Sequence, residues 1–168
     1  MDSLFYEQEM TKIILHTKIN APTERCFLLS LSVDLHKGST AQTNEKAIAG
    51  VTSGLMKLND TVTWEAKHFG VVQQFTSKIM KYEKPNYFVD EMQKGAFKKF
   101  HHQHSFKTEG FYCMMTDELD IAAPFGIIGK MVTALVLKNY LRKFLLIRND
   151  FIKQIAEGDG WKKFLKEE

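Results

Sequence analysis

Between residues 125 and 155 the chain reads as one long, mostly apolar helix, and almost everything ahead of it reads as strand. An order of strand, short helix, six strands and one long terminal helix leaves few arrangements. The sheet must bury its apolar face and the helix its apolar stripe, and each supplies the surface that the other needs. The expected fold class is α+β: a curved antiparallel sheet of about seven strands wrapped around the C-terminal helix, with a short helical segment after the first strand. Room for a ligand is expected between sheet and helix.

The periodicity places the elements. Ile13, Leu15, Thr17 and Ile19 alternate with Lys12, Ile14, His16 and Lys18, which gives a first strand with a partly polar outer face. Ala21-Pro22-Thr23-Glu24 opens a short helix, with proline in the first turn and Glu24 near the positive end of the dipole. Cys26, Phe27 and Leu31 form its apolar stripe. Residues 34–44, which include Gly38, Ser39, Thr40 and Asn44, read as a loop. From Glu45 the period becomes two, and strands are expected at 46–49, 61–69, 72–82, 87–93, 98–107 and 111–121. The breaks carry turn chemistry: Asn59-Asp60, Gly70, Lys84-Pro85-Asn86, Lys94-Gly95 and Glu109-Gly110. Connections this short join antiparallel neighbours, so the strands form a meander.

Pro124 closes the last strand, and Gly126 and Gly129 loosen the start of the helix. Beyond Leu137 the helix is amphipathic, with Leu137, Leu141, Phe144, Phe151 and Ile155 on one face. Lys138, Arg142, Lys143, Asn149 and Lys153 fall on the other. Arg148 breaks the pattern, because steps of about 100° put it in the middle of the apolar face. Gly158-Asp159-Gly160 reads as a stop, and Trp161 to Leu165 as a short appended turn. No Pro/Gly/Ser-rich linker divides the 168 residues, so one domain is expected, with a core at about 10–156 and a tail at 157–168.

Charge excludes some partners. The 23 Lys and Arg are spread against 20 Asp and Glu rather than gathered into a stripe, so nucleic acid is not an expected partner. Cys26 and Cys113 sit in no C-x-x-C spacing and read as buried reduced thiols. Met1-Asp2-Ser3-Leu4-Phe5 lacks a basic patch followed by an apolar core and a small-residue cleavage site, so a cytoplasmic protein is expected. The most apolar window, 127–137, is too short to span a bilayer, and the basic face of the last helix reads as solvated rather than membrane-bound.

The chemistry-bearing residues gather on the inner face. Phe100, His102, His104 and Phe106 share one face of a strand whose other face carries Lys99, His101, Gln103, Ser105 and Lys107. The imidazoles therefore point toward the helix, and by the same alternation Trp64, Ala66 and His68 do too. Three readings stand: an H-x-H pair plus a third His holding zinc, a cavity His acting as general acid or base, and imidazoles that satisfy neighbouring polar groups. H-x-H spacing is common on strands, so no metal and no cofactor is expected. Asp90-Glu91, Asp117 and Asp120 supply carboxylates, of which the inward members need neutralising; Arg148 is the expected mate of Asp90 or Asp117. Asp34-Leu35-His36 lies where it can form part of a cavity rim.

Together these pieces resemble the START-like (SRPBCC) superfamily, the polyketide cyclase/dehydrase and lipid transport group with the helix-grip fold. The resemblance is carried by Ile19-Asn20-Ala21-Pro22, the run Val62 to Gly70, Phe88-Val89-Asp90-Glu91, Phe100 to Phe106, Asp117 and Pro124-Phe125-Gly126. It looks most like the small bacterial single-domain branch of that group and spans about residues 10–156. It implies binding of a small hydrophobic or amphipathic molecule, such as a lipid, or catalysis of a cyclisation, dehydration or hydrolysis. The expected pocket is lined by Trp64, His68, Phe75, Phe100, His102, His104, Phe106, Leu137, Leu141, Phe144 and Arg148. Candidate catalytic residues are His68, His102, His104, Asp90 and Asp117. A protein-interaction or chaperone-like domain is the third reading, and homodimerisation is compatible with all three.

Overall fold

The computed structural model describes residues 10–68, 70–122 and 136–165, without the side chains of Gln42 and His68. Strand β1, Thr11–Ile19, buries Ile13, Leu15 and Ile19 and turns Ile14 outward, as its alternation predicts. Helix α1, Thr23–Ser30, follows with Pro22 as its N-cap rather than in its first turn, and it buries Cys26, Phe27 and Leu29. Phe27 stacks edge-on against Tyr82, Phe88 and Phe106 at 5.3–5.7 Å between ring centroids, an arrangement that favours aromatic pairs.

The segment read as a loop is instead mostly helical. Helix α2, Val33–Ser39, and a 3-10 turn, Ala41–Thr43, occupy it. Ser32 caps α2 by accepting a hydrogen bond from Leu35 N at 3.2 Å, and Val33 and Leu35 are buried beneath it. Asn44, with a φ of 51°, ends the turn in the left-handed region that asparagine tolerates.

The meander runs through β2 (Lys46–Gly50), β3 (Thr61–His68), β4 (Val71–Glu83), β5 (Tyr87–Lys94), β6 (Lys99–Glu109) and β7 (Tyr112–Ala122). Neighbours pair antiparallel in the order β1-β7-β6-β5-β4-β3-β2, so β1 closes on the last strand and the sheet has seven strands. Register shifts between Thr76 and Ser77 and between Ile79 and Lys81 bend the long strand β4, and bulges of this kind curve a sheet.

Helix α3, Lys138–Glu157, packs against β1, α1 and α2. The expected first half of this helix, with Pro124, Gly126 and Gly129, lies outside the described residues. The polar face differs from expectation at Asn149, which is buried at 1% exposure. It falls at the flank where β1 and β7 come up against the helix, and its amide reaches residues on both. A one-turn helix, α4 (Trp161–Phe164), follows, and Arg25 stacks on the Trp161 ring at 4.2 Å. Among the described residues no helix is long and apolar enough to cross a membrane.

Candidate functional site

The curved sheet and α3 do not meet everywhere. A hollow of about 600 Å³ lies between them, walled by Trp64, Ala66, Phe75, Phe88 and Phe100 from the strands and by Leu137, Leu141, Phe144 and Leu145 from the helix side. Polar groups enter it at Asp90, His102, His104 and Arg148.

Of the residues expected to line a pocket, nine do so: Trp64, Phe75, Phe100, His102, His104, Leu137, Leu141, Phe144 and Arg148. Phe106 does not. It faces inward as alternation requires, but it lies two residues nearer the end of β6 that α1 covers, and its ring is taken up by Phe27 and Phe88 at 5.6 and 6.0 Å. The side chain of His68 lies outside the described residues.

Other lining residues carry no signal in the periodicity. His36 and Glu45 close one side, with His36 Nε2 2.6 Å from Glu45 Oε2 and the imidazole 4.2 Å from the Trp64 ring. His36 was expected at a cavity rim, but on a loop; Ser32 ahead of Val33 and Leu35 is the helix-start pattern that sets it one turn into a helix.

The polar cluster rests on the register of three strands. Asp90 on β5 stands opposite His102 on β6, and His104 stands opposite Asp117 on β7, so two acids and two imidazoles share the concave face. Asp117 is the innermost group, with no exposure. Its Oδ1 accepts a hydrogen bond from His102 Nε2 at 3.1 Å, and its Oδ2 accepts one from Asn149 Nδ2 at 2.7 Å. Arg148 Nη1 reaches Oδ1 at 3.5 Å and also donates to Asn149 Oδ1 at 3.2 Å; Nη2 donates to the Ser30 carbonyl at 3.4 Å. The Asn149 amide donates as well to Thr17 Oγ1 at 3.2 Å, tying α3 to β1. Arg148 is thus paired with one of the two acids foreseen for it.

Asp90 stands on the hollow side, its side chain 19% exposed, and accepts a hydrogen bond from His104 Nε2 at 2.9 Å. His104 Nδ1 lies 2.9 Å from Asp117 Oδ1 but off the line of a hydrogen bond, so this buried nitrogen has no hydrogen-bond partner. Phe88 stacks on the His104 ring at 4.1 Å and fixes its plane. On the outer face His101 meets Glu91 at 2.6 Å, away from the cluster.

Electrostatics separate the two imidazoles. Burial and the neighbouring charge of His104 push His102 below the ordinary histidine value, and Asp117 and Asp90 only partly offset this. Burial also penalises charge on His104, but the carboxylates of Asp117 and Asp90, each 2.9 Å from one of its ring nitrogens, outweigh it and raise this group. Burial works against both carboxylates, yet the imidazoles overcome it, lowering Asp90 and holding Asp117 well below the usual carboxylate range. The guanidinium of Arg148 is thus the permanent cation beside two carboxylates, and the two imidazoles are driven apart, His104 toward its charged form and His102 toward its neutral one.

An ionised Asp117 can only accept, so the proton of neutral His102 sits on Nε2 and its lone pair on Nδ1. That nitrogen is 3.9 Å from Asp90 Oδ2, beyond hydrogen-bond distance. The arrangement can accept a hydrogen bond or a proton from a group in the hollow. Asp90, His102 and His104 also each offer one ligand atom within 4.8 Å of the others.

The sequence matches no protein-family model and no curated protein. Solved structures do match. A START superfamily protein from Mycobacterium smegmatis superposes with a TM-score of 0.66 at 12% identity, covering 88% of this chain and 99% of that one. The Zhui aromatase/cyclase from a Streptomyces species gives 0.63 at 9% identity, covering 88% and 96%. Major latex-like protein 151 from Panax ginseng gives 0.63 at 16% identity, covering 89% and 99%. At such identities the likeness speaks for architecture, and it agrees with the strand order and the gripped helix described above. The chain has the START-like, SRPBCC-type helix-grip fold.

Proposed function

We propose that the protein binds a small hydrophobic or amphipathic molecule in the hollow between the sheet and α3. The observation that carries this reading is the hollow itself. At about 600 Å³ it is in the size range of small-molecule sites, and its walls are aromatic and aliphatic with a few convergent polar groups. The apolar body of the ligand packs against Trp64, Phe75, Phe100, Leu141 and Phe144, and its polar end meets Asp90 and His102. A START superfamily protein and an aromatase/cyclase share the fold, which supports a pocket reading without naming the ligand. A protein-interaction domain with a filled interior fits the hollow less well. Cys26 and Cys113 are buried and unbridged, in keeping with a cytoplasmic location.

Trp64 lines the hollow and Trp161 does not, so a Trp161→Phe variant reports occupancy through Trp64 emission. Native mass spectrometry of protein from its own host should show a co-purifying adduct that denaturation releases. Anilinonaphthalene sulfonate should quench Trp64 in that variant. Absence of an adduct together with unchanged Trp64 emission on adding the dye would end the binding reading.

A second reading has one observation in its favour. The Asp117–His102 pair holds a neutral imidazole with its free nitrogen on the hollow side, the arrangement of a general base. Under it the protein is a cyclase, dehydratase or hydrolase. His102→Gln separates the two: a binding protein keeps dye affinity within a few-fold, whereas a catalyst loses turnover of the ligand found by mass spectrometry.

A further inference from the structure

We propose that Asp90, His102 and His104 form a binding site for one divalent first-row transition ion, of the Zn²⁺ or Fe²⁺ kind, at the polar end of the hollow. Two imidazoles and one carboxylate are a donor set that such ions favour, and all three residues border the hollow, which leaves a coordination position open to it. Bonds of about 2.0–2.2 Å at tetrahedral angles place neighbouring donor atoms about 3.3–3.6 Å apart. Asp90 Oδ2 stands 2.9 Å from His104 Nε2 and 3.9 Å from His102 Nδ1, two separations that bracket that spacing.

The groups behind the donors are those that orient metal-binding histidines. Ligation through His102 Nδ1 and His104 Nε2 leaves the protons on His102 Nε2 and His104 Nδ1. Both of these nitrogens face Asp117 Oδ1, at 3.1 and 2.9 Å. One carboxylate thereby holds both rings, as outer carboxylates do around bound zinc. Arg148 and Asn149 hold that carboxylate in turn. Hydrogen bonds within the cluster alone leave His104 Nδ1, in a side chain 1% exposed, without a partner. A metal on the opposite nitrogen fixes the Nδ1 proton, and a small ring rotation then completes its bond to Asp117.

The test uses untagged, chelator-stripped protein and metal alone, so its outcome is independent of whether an apolar molecule enters the hollow. Calorimetric titration should give one Zn²⁺ per chain, and Co²⁺ should develop visible absorption bands that Zn²⁺ abolishes. Asp90→Asn should weaken Zn²⁺ by more than about tenfold, since losing even an outer partner costs about 10–100-fold. His102→Gln should do the same, and His101→Gln, on the outer face, should not. Asp90 is partly exposed, so its variant remains readable if substitutions at His102 or His104 prevent folding, which circular dichroism would reveal. No Zn²⁺ uptake by the stripped wild type, or equal affinity in wild type and Asp90→Asn, overturns the proposal.

Discussion

Arg148 projects from a face of α3 that otherwise packs apolar side chains, and its guanidinium is the permanent counter-charge to Asp117. Replacing it with methionine keeps much of the volume but leaves a fully buried carboxylate short of one cation. Removing one partner of a buried pair costs about 3–5 kcal/mol, and Arg148→Met should lose that much stability in urea unfolding. A loss below about 1 kcal/mol, the scale of an exposed pair, would show that the guanidinium is not what neutralises Asp117. The residue was legible in the sequence because a cation within an apolar stripe is an anomaly that helical geometry exposes. His102 and His104 were legible for the same kind of reason, a period of two that leaves the charged series outside. Asn149 was not. It carries no charge and sits one step around the helix on the polar flank, and its burial follows from Thr17 and Asp117 arriving there from distant strands.

Every strand announced itself by alternation and turn residues, whereas α2 did not, and its contacts explain why. A helix of seven residues containing Gly38 and Ser39 has little stability of its own and depends on what it packs against. Gly38 lets α2 approach α3 closely: a Cβ there would stand 3.2 Å from the Phe151 ring, which would have to give by a few tenths of an ångström. Asp34 anchors the other side, accepting a hydrogen bond from Gly54 N at 2.8 Å and pairing with Lys37 at 2.8 Å. Its slight burial would raise its carboxyl, but the Gly54 N–H and the Lys37 ammonium outweigh this and lower it below the ordinary 3.8. A folded value below the unfolded one means that the contribution is present above pH 3.8 and is lost as pH falls through the folded value. Asp34→Asn should therefore melt below wild type at about pH 6, with the gap closing toward about pH 3. A gap that stays constant over that range would mean that Asp34 acts through shape alone. Because α2 carries His36 beside Trp64, the same anchor steadies one wall of the hollow.

At the scale of the whole molecule, short turns made the meander readable, but the closure of β1 on β7 joins residues about a hundred positions apart and has no local signature. The volume of the hollow was equally out of reach, because alternation says which side chains face inward and not whether they touch. Ala66 tests that distinction. It is 6% exposed and borders the hollow from β3, a burial that a packed core would also give. Forcing a phenyl ring into a packed core costs about 1–3 kcal/mol. In a space of about 600 Å³ the same ring finds room and new contacts. Ala66→Phe should therefore hold or raise the melting temperature while weakening quenching of Trp64 by anilinonaphthalene sulfonate in the Trp161→Phe background. A fall in stability with dye binding undiminished would mean that Ala66 faces packed protein and that the dye occupies some other place. Filling without unfolding, paired with loss of the bound dye, is an outcome that requires the sheet and helix to stand apart at this point.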